Sequence, residues 1–316
     1  MDTYFKEIIE KINVGKAILF VGAGFSQHCI NITGTTCPLA DALAEKICTR
    51  GKIDPPSTDL NYTSEKYCHE GNNLNELISL LKDELTVSEV SEEVKTICTS
   101  VPWYKIYTTN YDNAVESCLP DLLPLDLTDN VNNLQIQDKR CLHINGYIEK
   151  LTLQNLNNGF YLSDETSMAD IFNSSPWSTV FKNDVDRCSC LIFIGYSLSD
   201  FDIKKIIYNT AMRENIYFIV KQDISKESEY KYSKLGKVVC IGVEGFAQKI
   251  KQYSHQIKFN TINQLTSIKK YELTTNTDDT ISDKDLIDMF VYGKLISGYW
   301  KKVFYQMTTT SFHEIN

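Results

Sequence analysis

Hydrophobic positions along this chain fall into two rhythms. Largely apolar runs of strand length occur at Ala17 to Val21, Trp103 to Tyr107, Cys141 to Ile144, Cys190 to Ile194, Ile216 to Val220 and Val238 to Ile241. Unbroken runs of this kind suit strands covered on both faces. Between them the spacing turns helical. Leu74, Leu77, Ile78, Leu81 and Leu85 recur at i, i+3, i+4, i+7 and i+11, one stripe of an amphipathic helix. Asp202 to Arg213 also reads as a helix. Strands alternating with helices predict an α/β fold, a Rossmann-like parallel sheet.

Two departures from a simple alternation stand out. Where a doubly wound fold would place its second strand, residues 38–100 read instead as a helical insertion. Pro38 opens one helix there, which runs through Asp41 to Thr49 and stops at Gly51. The C-terminal part forms the other departure. A polar linker spans Thr274 to Thr280, and Ser282 with Asp285 makes a capping-box signature ahead of an aromatic-rich helix from Leu286 to Met307. The expected organisation is therefore a sheet domain over 1–260, followed by a linker and helical tail over 261–316.

Composition narrows the class. With 42% apolar residues, 18 Tyr and 14 Phe, the chain can build a core and is not disordered. A net charge of −9 argues against a nucleic-acid binder, which needs clustered Lys and Arg to neutralise phosphates. A nucleotide remains possible, because backbone amides can hold its phosphates. No run reaches the roughly 18 apolar residues of a membrane helix. The opening MDTYFKEIIEKI reads as a mixed-charge amphipathic helix, not a signal peptide. Ten cysteines are scattered without a C-x-x-C, and Cys188 and Cys190 are too close and solitary to form a zinc site. Buried free thiols and a cytoplasmic location are expected.

Candidate chemistry lies where strands end in small or polar residues, since open α/β sheets bind ligands at the carboxyl ends of their strands. Three such ends are Gly22-Ala23-Gly24, Thr108-Thr109-Asn110 and Gly195-Tyr196-Ser197. The first fails as an ordinary dinucleotide fingerprint. Gln27 stands where the third glycine belongs, and the acidic residue expected about 20 positions on, Asp41 or Glu45, falls in a helix. What survives is a strand followed by a turn whose amides suit a diphosphate, or simply a tight turn. Asn110 and Asp112 are turn formers, or an amide and a carboxylate able to hold a ribose or orient a water. His143, beside a strand end and three residues before Gly146, is a candidate base, with an unperturbed pKa of about 6.5; a satisfied core histidine is the alternative. His28 lies near the glycine turn, while His69, His255 and His313 read as surface. Asp200 or Asp202 could cap the next helix, and Ser197 is better placed for a ligand hydroxyl.

Taken jointly and in order, GAGFS, TTNYD, LHING and GYSLSD resemble the sirtuin-type NAD-binding domain, and most of all its bacterial sirtuin-like branch in antiphage defence. The resemblance spans about residues 15–250. It implies that Gly22, Ala23, Gly24, Phe25 and Ser26 contact NAD phosphates and ribose, and that Asn110, Asp112 and His143 are catalytic. Thr109 would stand where protein deacylases carry a glutamine, and Gly195, Ser197 and Asp200 would contact the adenosine ribose. NAD is then a substrate, with no prosthetic group and no metal. Protein deacylases of the family also carry a zinc module of two C-x-x-C pairs, which this chain lacks. That departure is similar to the defence branch, whose activity is NAD hydrolysis to nicotinamide and ADP-ribose. The resemblance further implies a homo-oligomer, activated by assembly or by a translocase-like ATPase or sensor partner. A deacylase, a non-catalytic NAD or ADP-ribose sensor and, more distantly, a dehydrogenase are the competing readings.

Overall fold

The computed structural model describes residues 2–131, 139–156, 158–162, 168–198 and 201–258. Residues Met1–Thr261 form one compact unit. The expected tail helix therefore falls outside the described residues, as does Asp200.

Seven parallel strands make the sheet: β1 (Ala17–Val21), β4 (Lys105–Thr108), β5 (Leu123–Asp126), β6 (Arg140–His143), β7 (Cys190–Ile194), β8 (Ile216–Val220) and β9 (Lys237–Cys240). Their spatial order is β5-β6-β4-β1-β7-β8-β9. The chain builds one half outward from β1 and then crosses back to the other side of it at β7. That reversal opens a crevice at the carboxyl ends of the central strands. Two short strands, β2 (Ile30–Asn31) and β3 (Val87–Glu89), pair antiparallel outside this sheet.

Strict alternation divides the sheet's side chains between two helical layers. Ala17, Leu19 and Val21 of β1 face one side with Cys141, Cys190, Ile192 and Ile194. That side is covered by α1 (Asp2–Asn13), α6 (Glu92–Thr99), α7 (Ala114–Cys118) and α12 (Gly242–Tyr253). Ile18 and Phe20 face the other side with Leu142, Leu191 and Phe193. Its cover is α8 (Met168–Ser174), α9 (Pro176–Arg187), α10 (Phe201–Asn209) and α11 (Lys226–Ser233). The amphipathic N-terminal helix buries Phe5, Ile8, Ile9 and Ile12, with Phe5 ring-to-ring against Phe246 and Tyr253. All ten cysteines are unpaired thiols.

Two expectations need correction. The insertion is shorter than 38–100 and not wholly helical. α3 (Ala40–Gly51), α4 (Leu60–His69) and α5 (Leu74–Leu85) pack around their own core of Leu43, Ile47, Tyr67, Leu77 and Leu81. After β3 the chain rejoins the main layers, because Val94, Ile97 and Cys98 of α6 belong to the sheet's core. The second correction is β5, which the sequence did not mark as a strand. It is an edge strand, where Pro124 is tolerated because one side of its backbone carries no ladder bonds. The glycine turn also differs from a plain loop: Ala23–Ser26 form a single helical turn, α2.

Among the described residues, no helix is long and apolar enough to cross a membrane.

Candidate functional site

The carboxyl ends of the central strands meet in one cleft of about 1370 Å³. Gly22, Ala23, Gly24 and Ser26 line it from β1, Thr109, Asn110 and Asp112 from β4, and Gly195 and Ser197 from β7. Three loop tips separated by up to 175 positions in the chain thus converge, and hydrogen bonds join them.

Glycine is needed here because two backbones touch. The Gly22 amide donates to Ile194 O (3.1 Å) and the Gly24 amide to Gly195 O (3.0 Å). A Cβ on Gly22 would lie 2.7 Å from Gly195 O. Whatever phosphate they cradle, these glycines let the β1 and β7 loops abut. The Phe25 amide is also taken up, by Gly22 O at 2.8 Å. Of this turn's first amides, Ala23's has no protein partner among the described residues and remains open to a ligand. Phe25 itself is buried in the core and does not line the cleft, contrary to its expected contact with NAD.

Asn110 locks the second tip onto the first. Its Nδ2 donates to Gly22 O (3.1 Å) and to Ser26 Oγ (3.2 Å). A backbone carbonyl can only accept, so this contact fixes which end of the amide is nitrogen. Oδ1 is left to accept from whatever occupies the cleft. Ser26 Oγ in turn donates to Asp112 Oδ2 at 2.6 Å, and Asp112 Oδ1 accepts the Ala114 amide at 3.0 Å, closing the start of α7. Burial pushes the Asp112 carboxyl above its usual range, against the opposing pull of the Ser26 and Ala114 hydrogen bonds.

His143 does not reach the cleft. It is 1% exposed and is absent from the cleft's lining. Alternation along β6 sends it to the same face as Cys141, beneath α7. There Nδ1 lies 2.9 Å from Asn110 O and Nε2 lies 2.9 Å from Glu116 Oε1, with the Tyr147 ring tilted against the imidazole, centroids 4.4 Å apart. The Asn110 carbonyl can only accept, so Nδ1 carries a proton there. Both ring nitrogens are engaged and the ring lies outside the cleft, so His143 does not stand where a base acting directly on a bound ligand would. Burial alone would lower the His143 pKa, but the Glu116 charge and hydrogen bond, the Asn110 carbonyl and Asp112 together raise it.

This raised pKa has a measurable consequence. Stability contributed by the Glu116–His143 pair is fully present below the unfolded value of about 6.5 and is lost as pH rises through the higher folded value. We expect the difference in Tm between wild type and Glu116→Gln to be largest near pH 6 and to shrink toward pH 9. An equal difference at both pH values would show that the pair is not ionic. Glu116, Cys141 and His143 also bring three donor atoms within 4.8 Å of one another. Two of the three, His143 and Glu116, are already hydrogen-bonded to each other.

Several lining residues carried no clear signal in the sequence. Pro38, Leu39, Asp41 and Thr58 to Asn61 reach the cleft from the insertion, and Lys221, Asp223, Tyr232 and Glu244 from beyond β8 and β9. His28 lines it too, with Nε2 3.2 Å from Glu244 Oε1. His69 and His255 are exposed, and neither lines the cleft. At the end of β6 the residues lining the cleft are Ile144 and Asn145.

No curated protein matches the chain. One solved structure, "Structural Basis for the Mechanism and Regulation of Sir2 Enzymes", is similar to it with a TM-score of 0.45 and 13% identity, over 84% of this chain and 100% of that one. Residues 105–237 match the family model described as a SIR2-like domain. The match runs from β4 to the start of β9 and includes Asn110, Asp112, Asn145, Gly195 and Ser197. Residues 105–237 thus resemble a SIR2-like domain, and they supply part of the parallel sheet whose central strand ends share one cleft.

Proposed function

We propose that this chain is an NAD glycohydrolase, converting NAD and water to nicotinamide and ADP-ribose. The observation that carries the reading is the convergence of Gly22 to Ser26, Asn110 with Asp112, and Gly195 with Ser197 on a single cleft of dinucleotide size. The match to the SIR2-like domain supports NAD as the substrate, not as a resident cofactor. Hydrolysis is favoured over deacylation because the chain has no C-x-x-C pair from which a zinc lobe could be built.

The chemistry asks little of an acid or base. The bond broken joins the ribose C1′ to a cationic pyridinium, so its electron pair leaves with neutral nicotinamide and no proton donor is needed. A positively charged, oxocarbenium-like sugar remains for water to attack. The site must hold the ribose, place the water and lie electrostatically negative around C1′. Asn110 Oδ1 and the Asp112 carboxylate supply acceptors at the cleft wall. His143 acts as a positioning residue, holding the Asn110 backbone from behind through Nδ1. The open Ala23 amide, Ser197 and Lys221 are the groups that would receive phosphates or ribose hydroxyls.

Unchecked NAD hydrolysis would deplete the cell that makes it. We therefore assign the activity to an antiphage-defence effector that is switched on by assembly or by a partner, with residues 261–316 as the element that assembles. Incubating the purified full chain with NAD, alone and after concentration-driven assembly, tests the reading by product identification. Free nicotinamide with ADP-ribose is the expected result. Transfer of acetyl groups from a peptide to ADP-ribose would instead identify a deacylase. NAD binding without turnover in every assembly state would identify a sensor. Deleting 275–316 should lower the mass in solution if the tail mediates assembly.

A further inference from the structure

β4 and β6 are neighbouring parallel strands, and Thr108 at the end of one is paired with His143 at the end of the other. Two residues beyond each paired end stands an asparagine, Asn110 on one strand and Asn145 on the other, and both line the cleft. Adjacent strands run about 4.8 Å apart, so the two asparagines follow neighbouring strand ends at the same rim.

Asn145 is held firmly from its backbone. The Ile144 amide donates to Thr108 O (2.8 Å), and the Asn145 carbonyl accepts the Tyr161 amide (2.9 Å). Gly146 follows at φ +112°, where an added Cβ would strike Gly159 O at 2.7 Å. The side chain is treated differently. Its Oδ1 is buried and has no hydrogen-bond partner. Buried polar atoms are nearly always paired, so this oxygen lacks a partner, and the residue that carries it lines the cleft. Asn110 has the complementary arrangement: its nitrogen is held by Gly22 and Ser26, and its oxygen is left over.

We propose that Asn145 is a catalytic residue of the cleft, its Oδ1 accepting a hydrogen bond from the nicotinamide ribose or the attacking water. This rests on the NAD-cleavage reading and places a neutral amide where the sequence had suggested an imidazole base. Two carboxamide oxygens, with the negative ends of their dipoles toward C1′, stabilise the positive charge that develops as the C1′–N bond breaks. The electron pair goes to nicotinamide, the water oxygen forms the new C1′–O bond, and its proton passes to solvent or to Asp112. No histidine is required at any step.

The test uses the purified full chain, Asn145→Leu and Asn145→Asp. Leucine is close in volume and removes the acceptor. We expect Asn145→Leu to keep a Tm equal to or above wild type, since an unpaired buried oxygen has gone, while nicotinamide release falls at least about tenfold. Asn145→Asp, which keeps an acceptor oxygen, should retain activity within several-fold of wild type. If the wild-type chain binds NAD without turnover, calorimetric Kd replaces the rate, and Asn145→Leu should weaken binding at least about fivefold. Wild-type kinetics or affinity in Asn145→Leu would overturn the proposal while leaving the function standing. So would a loss of activity accompanied by a fall in Tm, which marks a structural role. A wild-type chain that neither binds nor cleaves NAD would overturn the functional reading itself.

Discussion

An Asn110→Ala variant is expected to fold and to release nicotinamide from NAD at least about a hundredfold more slowly than wild type, the scale on which single electrostatic contacts to a transition state act. The side chain has two duties. Its nitrogen ties the β4 end to Gly22 O and Ser26 Oγ, and its oxygen is an acceptor at the cleft wall. Losing the two tethers costs about 1–2 kcal/mol of stability, which a domain of this size can absorb. Asn110→Asp separates the duties. A carboxylate keeps an acceptor but cannot donate to Gly22 O, so it too should be slow, with the turn displaced by repulsion between oxygens. Near-UV circular dichroism reports the fold and nicotinamide release the chemistry. Wild-type rates in Asn110→Ala would remove the residue from the site.

Gly195→Ala should carry the largest stability loss of any Gly→Ala change among the described residues. Gly195 adopts φ +65°, and a Cβ there would lie 2.2 Å from Phe25 N and 2.5 Å from Gly24 C. Both neighbours are backbone, so no side chain can swing aside. Left-handed strain of about 1 kcal/mol and overpacking of about 1–3 kcal/mol together give roughly 2–4 kcal/mol. Gly34→Ala is the control: at φ +79° with open space around it, it carries only the backbone strain. Urea midpoints for the two variants should differ accordingly. Equal midpoints would show that the β1 and β7 loops are not in the contact described. Because the Gly24 amide donates to Gly195 O, the same change should also weaken NAD binding.

How far the site could be read from the chain depends on what each residue's position is decided by. Asn110, Asp112, Gly22, Gly24, Gly195 and Ser197 were visible because each follows directly on an apolar strand, and strand ends of a parallel sheet share one edge. Phe25 and His143 sit in the same segments but turn the other way. For His143 the decision comes from the pleat, which puts it on the face of Cys141, and from Glu116 on a short helix 27 residues earlier. Asn145 lay inside the quoted LHING motif with nothing local to distinguish it from a turn former. Its meaning appears only once its oxygen is seen to be buried and unpaired.

The same division holds for the fold. β1, β4, β6, β7, β8 and β9 were legible because strands buried on both faces need apolar residues at nearly every position, a local and strong constraint. β5, an edge strand reading Leu123-Pro124-Leu125-Asp126, meets no such demand on its open side and left no pattern. α6 was legible as a helix, yet periodicity states only that a face is apolar, not which core it joins; packing placed it against the sheet and not with α3 to α5. By itself, then, the sequence determined the layered α/β class and the strand ends where chemistry is possible, both of which depend on local composition and burial. Tertiary structure alone decided which side chain at each strand end faces the cleft and which is sealed behind it. That choice depends on partners distant in the chain, and a shift of one residue along a pleated strand reverses it.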